Sequence, residues 1–435
     1  MTKNPMLDIK FIRDNSELVK KNCKNRRVKV DIDKLLDLDK QKREKMQEIE
    51  ELRSKRNSGS KAKPTEEEIK QMREVGEKIK SLEEELKTIE ESYLDLMLQV
   101  PNLTHPQSPI GGEEDFVTVE ERGTIPNFDF PAKDHEELML NLDLIDFERG
   151  AKVTGSKFYF VKNDMVRLNQ AMLNYGIEIL SNHGYNLVET PDLAKHEILL
   201  GAGFNPRGSE KQIYNIDDED LSLVGTAEIT MLGYHADEVL DLSSGPKKYA
   251  AMSHCFRTEA GAYGRTSKGL YRVHQFTKLE MFIFCKPEES EALHQELLNI
   301  EKEICDGLEI PYRVIDIPTG DLGGPAFRKY DLEAWMTMKA EPASAEASAG
   351  KDETKGGYGE ITSTSNCTDY QARRLNIKYK RDEGKNEFVH TLNGTAVVLS
   401  RFPIAVIENN QQADGSIKVP KVLQKFVGKE LITAK

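Results

Sequence analysis

Residues 249–285 read YAAMSHCFRTEAGAYGRTSKGLYRVHQFTKLEMFIFC, a pattern that predicts two β-strands joined by a basic, glycine-rich loop. Side chains on a regular strand alternate between its faces. The pattern therefore gathers groups on shared faces: Arg257 with Glu259 on the first strand, and Arg272 with Phe276 and Glu280 on the second. Guanidinium suits phosphate oxygens, a carboxylate accepts from an amino group, and a ring stacks on a base. The hairpin fits a nucleotide site and an ordinary hairpin with a charged solvent face equally well.

The length of the chain favours two domains, and its composition is that of an acidic protein whose basic residues can act only in local patches. The chain has 435 residues, of which 38% are hydrophobic and 31% charged, and it holds no apolar run near the ~18 residues of a membrane span. Its N-terminus lacks a signal pattern, and its five scattered cysteines form no CxxC pair. We therefore expect a cytoplasmic protein without membrane contact or a zinc site. The net charge of −13 confines any nucleic-acid binding to local basic patches.

A second pattern predicts two long antiparallel helices before the hairpin. From Ile69 to Val100 the apolar positions alternate by three and four, which is typical of a coiled-coil seam, and residues 35–52 show a weaker stripe. Gly59 and Pro64 predict a turn between the stripes. The pattern alone favours a spacer or oligomerisation coil over an arm that contacts a polyanion. The basic residues near its tip are Arg53, Lys55, Arg56, Lys61 and Lys63.

The chain beyond Pro101 predicts one α+β body, a mainly antiparallel sheet flanked by helices. Residues 339–357, rich in Ala, Glu, Ser and Gly, predict a disordered insertion. The predicted helices are 135–145, 164–183 and 288–304, and the predicted strands are 116–120, 184–191, 312–317, 330–336, 359–363 and 387–392.

Three polar clusters lie at the ends of predicted strands: GTAE at 225–228, EITS at 360–363, and NGT at 393–395, the last leading into a helix that carries Arg401. Strand alternation predicts that Glu360 shares a face with Thr362 and not with Ser363. Carboxylates and hydroxyls beside a polyphosphate suit magnesium. The sequence contains neither GxxxxGK[ST] nor HExxH, so neither a P-loop nor a zincin site is supported.

Together these motifs resemble the seryl-tRNA synthetases, a family of class II aminoacyl-tRNA synthetases. FRTE at 256–259 matches the class signature, and the serine branch is marked by GTAE, HQFTKLEM at 274–281, CTDYQARR at 367–374 and NGT. The resemblance covers nearly the whole chain. It implies a tRNA-binding domain over residues 1–104, with a helical arm over 30–100, and a class II catalytic domain over residues 105–435.

The resemblance implies a ligase that activates L-serine with ATP to seryl-adenylate and transfers it to the 3′-terminal adenosine of serine tRNA. Selenocysteine tRNA is left open as a second substrate. The family's dimer interface corresponds to the 164–183 helix and the strand that ends at Pro191. A homodimer with ATP as substrate and magnesium as cofactor is therefore expected, with the helical arm contacting the tRNA.

The resemblance also implies residue roles. Arg257, Glu360 and Arg401 are the expected catalytic groups, and Glu360 with Ser363 would hold magnesium. Glu259 would accept from the adenine amino group, and Phe276 would stack on the ring. The expected ATP-binding residues are Arg257, Thr258, Glu259, Arg272, Val273, Phe276, Glu360, Ile361, Thr362, Ser363 and Arg401. The expected serine-binding residues are Thr226, Ala227, Glu228, Arg257, Glu280, Asn393 and Thr395.

The chain departs from the family pattern at three positions. Thr266 stands where relatives usually carry aspartate, and Thr395 stands where many carry serine. Pro403 falls inside the helix expected after Arg401, so we expect it to kink or locally unwind that helix.

Two other functions stay open. One is a class II paralogue that passes an aminoacyl group to a carrier protein, and the long arm argues against it. The other is a non-catalytic tRNA-binding or scaffold protein. A protein without activity would be free to lose the charged site residues, which this chain retains: Arg257, Glu259, Glu280, Glu360 and Arg401.

Overall fold

The structure, a computed structural model, describes residues 7–58, 65–204, 212–259, 268–339, 356–381 and 384–434. One compact unit ends at Leu103 and another begins at Thr104. No helix within the described ranges is long and apolar enough to cross a bilayer. The helices are α1 Ile9–Asp14, α2 Ser16–Asn25, α3 Ile32–Ser58, α4 Glu66–Gln99, α5 His135–Asn141, α6 Phe147–Thr154, α7 Asp164–Asn182, α8 His196–Ala202, α9 Ala227–Tyr234, α10 Ser290–Gly307, α11 Tyr370–Leu375, α12 Phe402–Asn409 and α13 Lys421–Val427.

The strands of the described residues all lie in the second unit. They are β1 Val117–Arg122, β2 Ile145–Asp146, β3 Phe160–Val161, β4 Asn186–Glu189, β5 Leu193–Lys195, β6 Leu221–Leu223, β7 Val239–Leu240, β8 Lys247–Phe256, β9 Gln275–Cys285, β10 Tyr312–Asp316, β11 Arg328–Met336, β12 Gly357–Asn366, β13 Lys378–Lys380, β14 Asn386–Phe388, β15 His390–Val398, β16 Ile417–Lys418 and β17 Leu431–Ile432.

The first unit is built on the antiparallel pair α3 and α4, as the apolar stripe predicts. Ile49, Ile79 and Leu82 are buried in the seam between the two helices. Ile69 and Met46 are about half exposed, so these two stripe positions were wrongly assigned to the seam. Ion pairs that cross between the helices fix their register: Lys42–Glu90 at 3.1 Å, Lys45–Glu85 at 2.6 Å, Lys78–Glu48 at 2.8 Å and Arg53–Glu83 at 2.6 Å.

The second unit is organised around an eight-stranded sheet in the order β1-β10-β11-β12-β15-β9-β8-β4. Its described pairings are antiparallel, except that β4 runs parallel to β8. The central strand β9 is apolar on both faces. Met281 and Ile283 lie in the core that contains residues of α7, α10 and α12, whereas Phe282 and Phe284 lie in a core with residues of α8, α9 and α11. The predicted α+β class with a mainly antiparallel sheet is confirmed.

Several predicted element boundaries were wrong. The predicted helix 135–145 ends at Asn141, because Ile145 and Asp146 pair with β3. The predicted strand 387–392 is two strands, β14 and β15. As a result the NGT cluster lies within β15 and not in a turn before a helix. Most of the predicted insertion, residues 340–355, lies outside the described residues.

The segment around Arg401 also differs from its prediction. Arg401 is the N-cap of α12 and precedes the helix instead of lying within it. Pro403 occupies the first turn, where a backbone N–H has no partner inside the helix and the fixed φ of proline suits the helix. The expectation that Pro403 kinks this helix was therefore wrong.

The opening hairpin is less regular than alternation predicts. Strand β8 ends at Phe256, so Arg257 and Glu259 lie beyond it, and Glu259 has a φ of +50°. Arg272 likewise precedes β9, which begins at Gln275. Their predicted strand faces were wrong, whereas Phe276 and Glu280 do share one face of β9. The loop residues Gly261, Gly264, Arg265 and Thr266 lie outside the described residues.

Candidate active site

A cavity of about 450 Å³ lies on one face of the sheet. The alternation that sends Phe282 and Phe284 of β9 into a core brings Phe276, Lys278 and Glu280 to the cavity wall. Most of the predicted site residues line this one cavity: Thr226, Glu228, Arg257, Glu259, Arg272, Val273, Phe276, Glu280, Glu360, Ile361, Thr362, Ser363, Asn393, Thr395 and Arg401.

Two predicted site residues lie outside the described lining of the cavity. Ala227 is fully buried in the core formed with α8 and α11. Thr258 uses its backbone N–H to donate to the carbonyl oxygen of Gln212, at 3.2 Å. Ala227 and Thr258 are thus neighbours in sequence of residues that line the cavity, Thr226, Glu228, Arg257 and Glu259.

Two buried carboxylates mark one end of the cavity. Asn393 bridges them, because its Nδ2 lies 3.1 Å from Glu228 Oε2 and 3.4 Å from Glu280 Oε1. Thr395 Oγ1 lies 3.5 Å from Glu280 Oε2, and Lys278 forms an ion pair with the same carboxylate. Glu280 is 1% exposed. This end therefore offers two buried carboxylates, one of them paired with Lys278, together with amide and hydroxyl groups.

The two carboxylates do not have the same surroundings. Burial raises the pKa of Glu228 to about 7, a rise that the hydrogen bond from Gln371 opposes and the charge of Glu280 adds to. Gln371 Nε2 lies 2.6 Å from Glu228 Oε1. Glu228 is therefore near its midpoint of protonation at neutral pH. The neighbouring carboxylate, Glu280, is instead paired with Lys278.

The other end of the cavity is organised by Arg401 and Glu360. Arg401 Nη1 lies 2.9 Å from Glu360 Oε1 and 3.1 Å from the carbonyl oxygen of Glu360. The same guanidinium lies 4.9 Å from the centre of the Tyr271 ring. Enclosure by the protein raises the pKa of Glu360, but Arg401, Lys329 and Arg257 outweigh that effect and bring it down to about 2. Glu360 is therefore ionised throughout the physiological range.

A β-bulge sets which residues join Glu360 on the cavity side. Leu332 pairs with Thr362 and Glu333 with Glu360, so Ile361 is an extra residue in β12. Thr362 Oγ1 donates to Glu301 of α10, at 2.8 Å, on the opposite side of the sheet. The predicted shared face of Glu360 and Thr362 was therefore wrong. The bulge instead brings Ser363 to the side of Glu360.

Arg257 and Glu259 reach the cavity from the segment after β8. The Arg257 guanidinium lies 5.3 Å from the centre of the Phe276 ring and donates to the Gly225 carbonyl oxygen from Nε and Nη2, at 3.4 and 3.3 Å. Glu259 Oε2 accepts from Arg272 Nη1 at 3.0 Å. A ring, two guanidiniums and a carboxylate are thus assembled in one wall, although Arg257, Glu259 and Arg272 reach it from outside the strands on which alternation placed them.

Sequence reasoning missed several cavity residues. Lys278 could have been predicted from the sequence, because it lies midway between Phe276 and Glu280 and so shares their face of β9. Lys329 belongs to β11 and is aligned with β12 only by strand register, which no local pattern reveals. Tyr271 reaches Arg401 from the segment that precedes β9, and Gln371, which does not line the cavity itself, reaches Glu228 from α11.

The basic residues expected to bind tRNA are only partly described. Arg53 of α3 is ion-paired with Glu83 of α4, and its side chain is 56% exposed. Lys55 and Arg56 lie exposed in the last turn of α3. Lys61 and Lys63 lie outside the described residues.

Comparison with known proteins identifies the class first. Residues 212–410 match the model of the tRNA synthetase class II core domain (G, H, P, S and T), and residues 6–104 match that of the seryl-tRNA synthetase N-terminal domain. The second unit therefore contains a class II aminoacyl-tRNA synthetase core.

Whole-chain relatives then define the family. The serine–tRNA ligase of Treponema denticola is 52% identical over 97% of this chain and 99% of its own, and that of Dictyoglomus thermophilum is 50% identical over 97% and 98%. The Pyrococcus horikoshii seryl-tRNA synthetase complexed with ATP superposes with a TM-score of 0.85 at 36% identity, covering 99% of this chain and 100% of its own. A cytoplasmic serine–tRNA ligase from Naegleria fowleri in complex with AMP gives 0.81 at 32% identity, covering 99% of each chain. This chain belongs to the seryl-tRNA synthetase family, as its motifs indicated.

The raised pKa of Glu228 predicts a specific pH dependence of stability. The pKa is about 7 in the folded chain against an ordinary value of 4.5. Below pH 4.5 both states are protonated, and as the pH rises towards 7 only the unfolded state ionises, so this group increasingly favours unfolding. Between pH 5 and 8 the wild type should lose about 2–3 kcal/mol of unfolding free energy relative to Glu228→Gln. Urea unfolding of both proteins at both pH values measures this, and parallel pH dependences would contradict it.

Proposed function

We propose that this chain activates L-serine with ATP and transfers the seryl group to the 3′-terminal adenosine of serine tRNA. Its family membership supports an aminoacyl-tRNA ligase. The observation that carries the assignment of the site is that one cavity joins the Glu228–Glu280 end to the Arg257, Glu360 and Arg401 end. A small zwitterion and a nucleotide triphosphate would therefore meet in the same space.

The carboxylate end would bind serine. Glu280 and Glu228 suit its ammonium group, and Thr395 and Asn393 can exchange hydrogen bonds with its hydroxyl. A site that hydrogen-bonds a hydroxyl rejects alanine, because buried polar groups are then left unpaired. Threonine must be excluded by the size of the site. Cations of Arg257 and Lys278 would face the serine carboxylate, where it meets the α-phosphate.

The other end would bind ATP. Phe276 would stack on adenine with Glu259 accepting from its amino group, while Arg257 holds the α-phosphate and Arg272 the outer phosphates. In the structure Glu259 pairs with Arg272 and Arg257 lies over Phe276, so each of these partners would be exchanged for a nucleotide group. The serine carboxylate is already a nucleophile, so it attacks the α-phosphate in line and pyrophosphate leaves. Positioning and neutralisation of charge supply the catalysis.

The residues on the bulged strand fit a magnesium ion bound with ATP. Glu360 is ionised, the bulge sets Ser363 beside it, and Asp331, which pairs with Ser363 across the strands, has a buried Oδ1 without a hydrogen-bond partner. Hard oxygen donors of this kind are what magnesium requires. Glu360 and Ser363 would hold the ion, which when bound would neutralise phosphate charge.

In the second step the terminal adenosine of the tRNA attacks the acyl carbon through its 3′-hydroxyl, and AMP leaves. The paired helices α3 and α4 would bind the tRNA as a coiled-coil arm, through the basic residues at the end of α3. Serine tRNA is the expected partner, with selenocysteine tRNA as a second candidate. All five cysteines are unpaired and buried, which fits a cytoplasmic enzyme.

The enzyme would act as a homodimer. Strand β4 ends the eight-stranded sheet, and Leu187 on it is 53% exposed. Val166 of α7 is 46% exposed. An open sheet edge with exposed apolar side chains is suited to pairing with a second copy of the chain.

Arg257→Ala tests the phosphate site. It should lower serine-dependent ATP–pyrophosphate exchange by at least about 100-fold, because a charge that stabilises the reacting phosphate is lost. The oligomeric state by size-exclusion chromatography should not change. Arg149→Ala is the matched control, since the Arg149 side chain is 76% exposed and lies on α6. A fully active Arg257→Ala enzyme would mean that the phosphate site is misplaced.

A shortened arm tests the tRNA assignment. Lys45 and Glu85 lie 2.6 Å apart across the helix pair, so residues 46–84 can be replaced by a short glycine turn without disturbing the base of the arm. Serylation of tRNA should fall at least about 100-fold as phosphate contacts are lost, while pyrophosphate exchange stays within about twofold.

Single charge reversals refine that test. Arg56→Glu at the end of α3 should weaken serylation by about fivefold, whereas Lys40→Glu, about 24 Å away along the same helix, should have little effect. Equal loss of serylation and exchange in the shortened protein would contradict the assignment.

A further inference from the structure

A buried histidine–glutamate pair lies outside the set of residues assigned to substrates. His135, the first residue of α5, and Glu408, near the end of α12, are both 0% exposed. Glu408 Oε1 accepts from the backbone N–H of His135 and lies 2.8 Å from its Nδ1. A carboxylate held by two donors from one residue fixes the position and orientation of that imidazole.

The second ring nitrogen of His135, Nε2, contacts the segment that leads from the hairpin loop into β9. The backbone N–H of Leu270 donates to His135 Nε2 at 3.1 Å. A backbone N–H can only donate, so Nε2 carries no proton and the imidazole is the neutral tautomer with its proton on Nδ1. The proton on Nδ1 is then given to Glu408, so both ring nitrogens are used.

Gly269 shows how closely the loop approaches this ring. Its φ is +56°, and a Cβ at this position would lie 2.1 Å from His135 Nε2. Any side chain there would have to displace the imidazole. The chain at Gly269 and Leu270 is therefore pressed against His135 and takes its position from it.

The residues that follow Leu270 belong to the nucleotide end of the cavity. Tyr271 donates from its hydroxyl to the carbonyl oxygen of Glu360 at 3.4 Å and stacks against Arg401, and Arg272 pairs with Glu259. The main-chain position of Leu270 thus determines where these two side chains enter the cavity.

Glu408 ties two further segments to the same point. Its helix α12 has Arg401 as N-cap, so the carboxylate anchors one end of the helix whose other end carries the guanidinium. Its Oε2 accepts from Thr337 Oγ1 and from the backbone N–H of Met338, both at 3.1 Å. The next residue, Lys339, lies over the Tyr271 ring at 3.8 Å. Three segments around Tyr271 therefore depend on one buried pair.

We propose that His135 is a positioning residue for the ATP end of the site: by accepting from Leu270 and donating to Glu408 it fixes Tyr271 and Arg272 relative to Arg401. It touches no substrate. The inference rests on the proposed function in taking the bound nucleotide to be ATP. Serine binding at the other end of the cavity is expected not to depend on His135.

Two isosteric substitutions separate the two hydrogen bonds. The amide of His135→Asn reaches the position of Nδ1, so it can still donate to Glu408 but leaves Leu270 unpaired. The amide of His135→Gln reaches the position of Nε2, so it can still accept from Leu270. His135→Asn should raise the KM for ATP about tenfold, because a buried donor loses its acceptor. His135→Gln should stay within about threefold of the wild type, and the KM for serine should change less than about twofold in both.

His294→Gln is the matched control for loss of a buried histidine. His294 is also 0% exposed, and its Nε2 contacts the carbonyl oxygen of Thr364 at 3.2 Å. This variant should lower the melting temperature while leaving both KM values unchanged. Equal rises of the ATP KM in His135→Asn and His135→Gln, a parallel rise of the serine KM, or the same kinetic pattern in His294→Gln would overturn the proposal.

Direct ATP binding, measured by calorimetry on the full chain without serine, separates this inference from the proposed function. If the wild type binds ATP and His135→Asn binds it about tenfold more weakly, the inference holds even where serine-dependent exchange is absent and the proposed function fails. If exchange with serine is normal in the wild type and His135→Asn binds ATP as tightly as the wild type, the inference fails alone.

Discussion

The ion pair between Lys278 and Glu280 on β9 is the constraint on which the rest of the site depends. Both residues are at least 93% buried, and removing one partner of such a pair costs about 3–5 kcal/mol. The neighbouring strand β15 supplies Asn393 and Thr395 to the same carboxylate, and Asn393 reaches on to Glu228. The packing of β9 on both faces holds this ion pair in place at the centre of the sheet, where we propose that serine binds.

The ends of the cavity differ in how firmly the protein holds them. The proposed serine end is carried by the central strands β9 and β15 and by α9. The proposed ATP end is carried by Arg257 and Arg272, which flank a loop outside the described residues, and by Arg401 at a helix N-cap. Two of these three guanidiniums are ion-paired, Arg272 with Glu259 and Arg401 with Glu360, whereas Arg257 lies over the Phe276 ring.

The sequence was sufficient for the parts of the protein that follow a regular period. The apolar stripe of α4 was predicted from the spacing of its residues, and so was the shared face of Phe276 and Glu280 on β9. Prediction failed where one residue breaks the period: Ile361 inserts a bulge that turns Ser363, and not Thr362, towards Glu360. Contacts that depend on strand register or on a helix far along the chain, such as Gln371 with Glu228, leave no local signal. The resemblance supplied the site residues, and the structure shows why that spacing brings most of them together.

The most direct measurement of the central claim is amino-acid-dependent ATP–pyrophosphate exchange with serine, threonine, alanine and glycine. The carboxylates, amide and hydroxyl around Glu280 predict exchange with serine at a kcat/KM at least about 1000-fold above that with alanine or glycine, because those ligands leave buried polar groups unpaired. Threonine should also be discriminated against, through its additional methyl group. Exchange that is supported by threonine or alanine but not by serine would contradict the account.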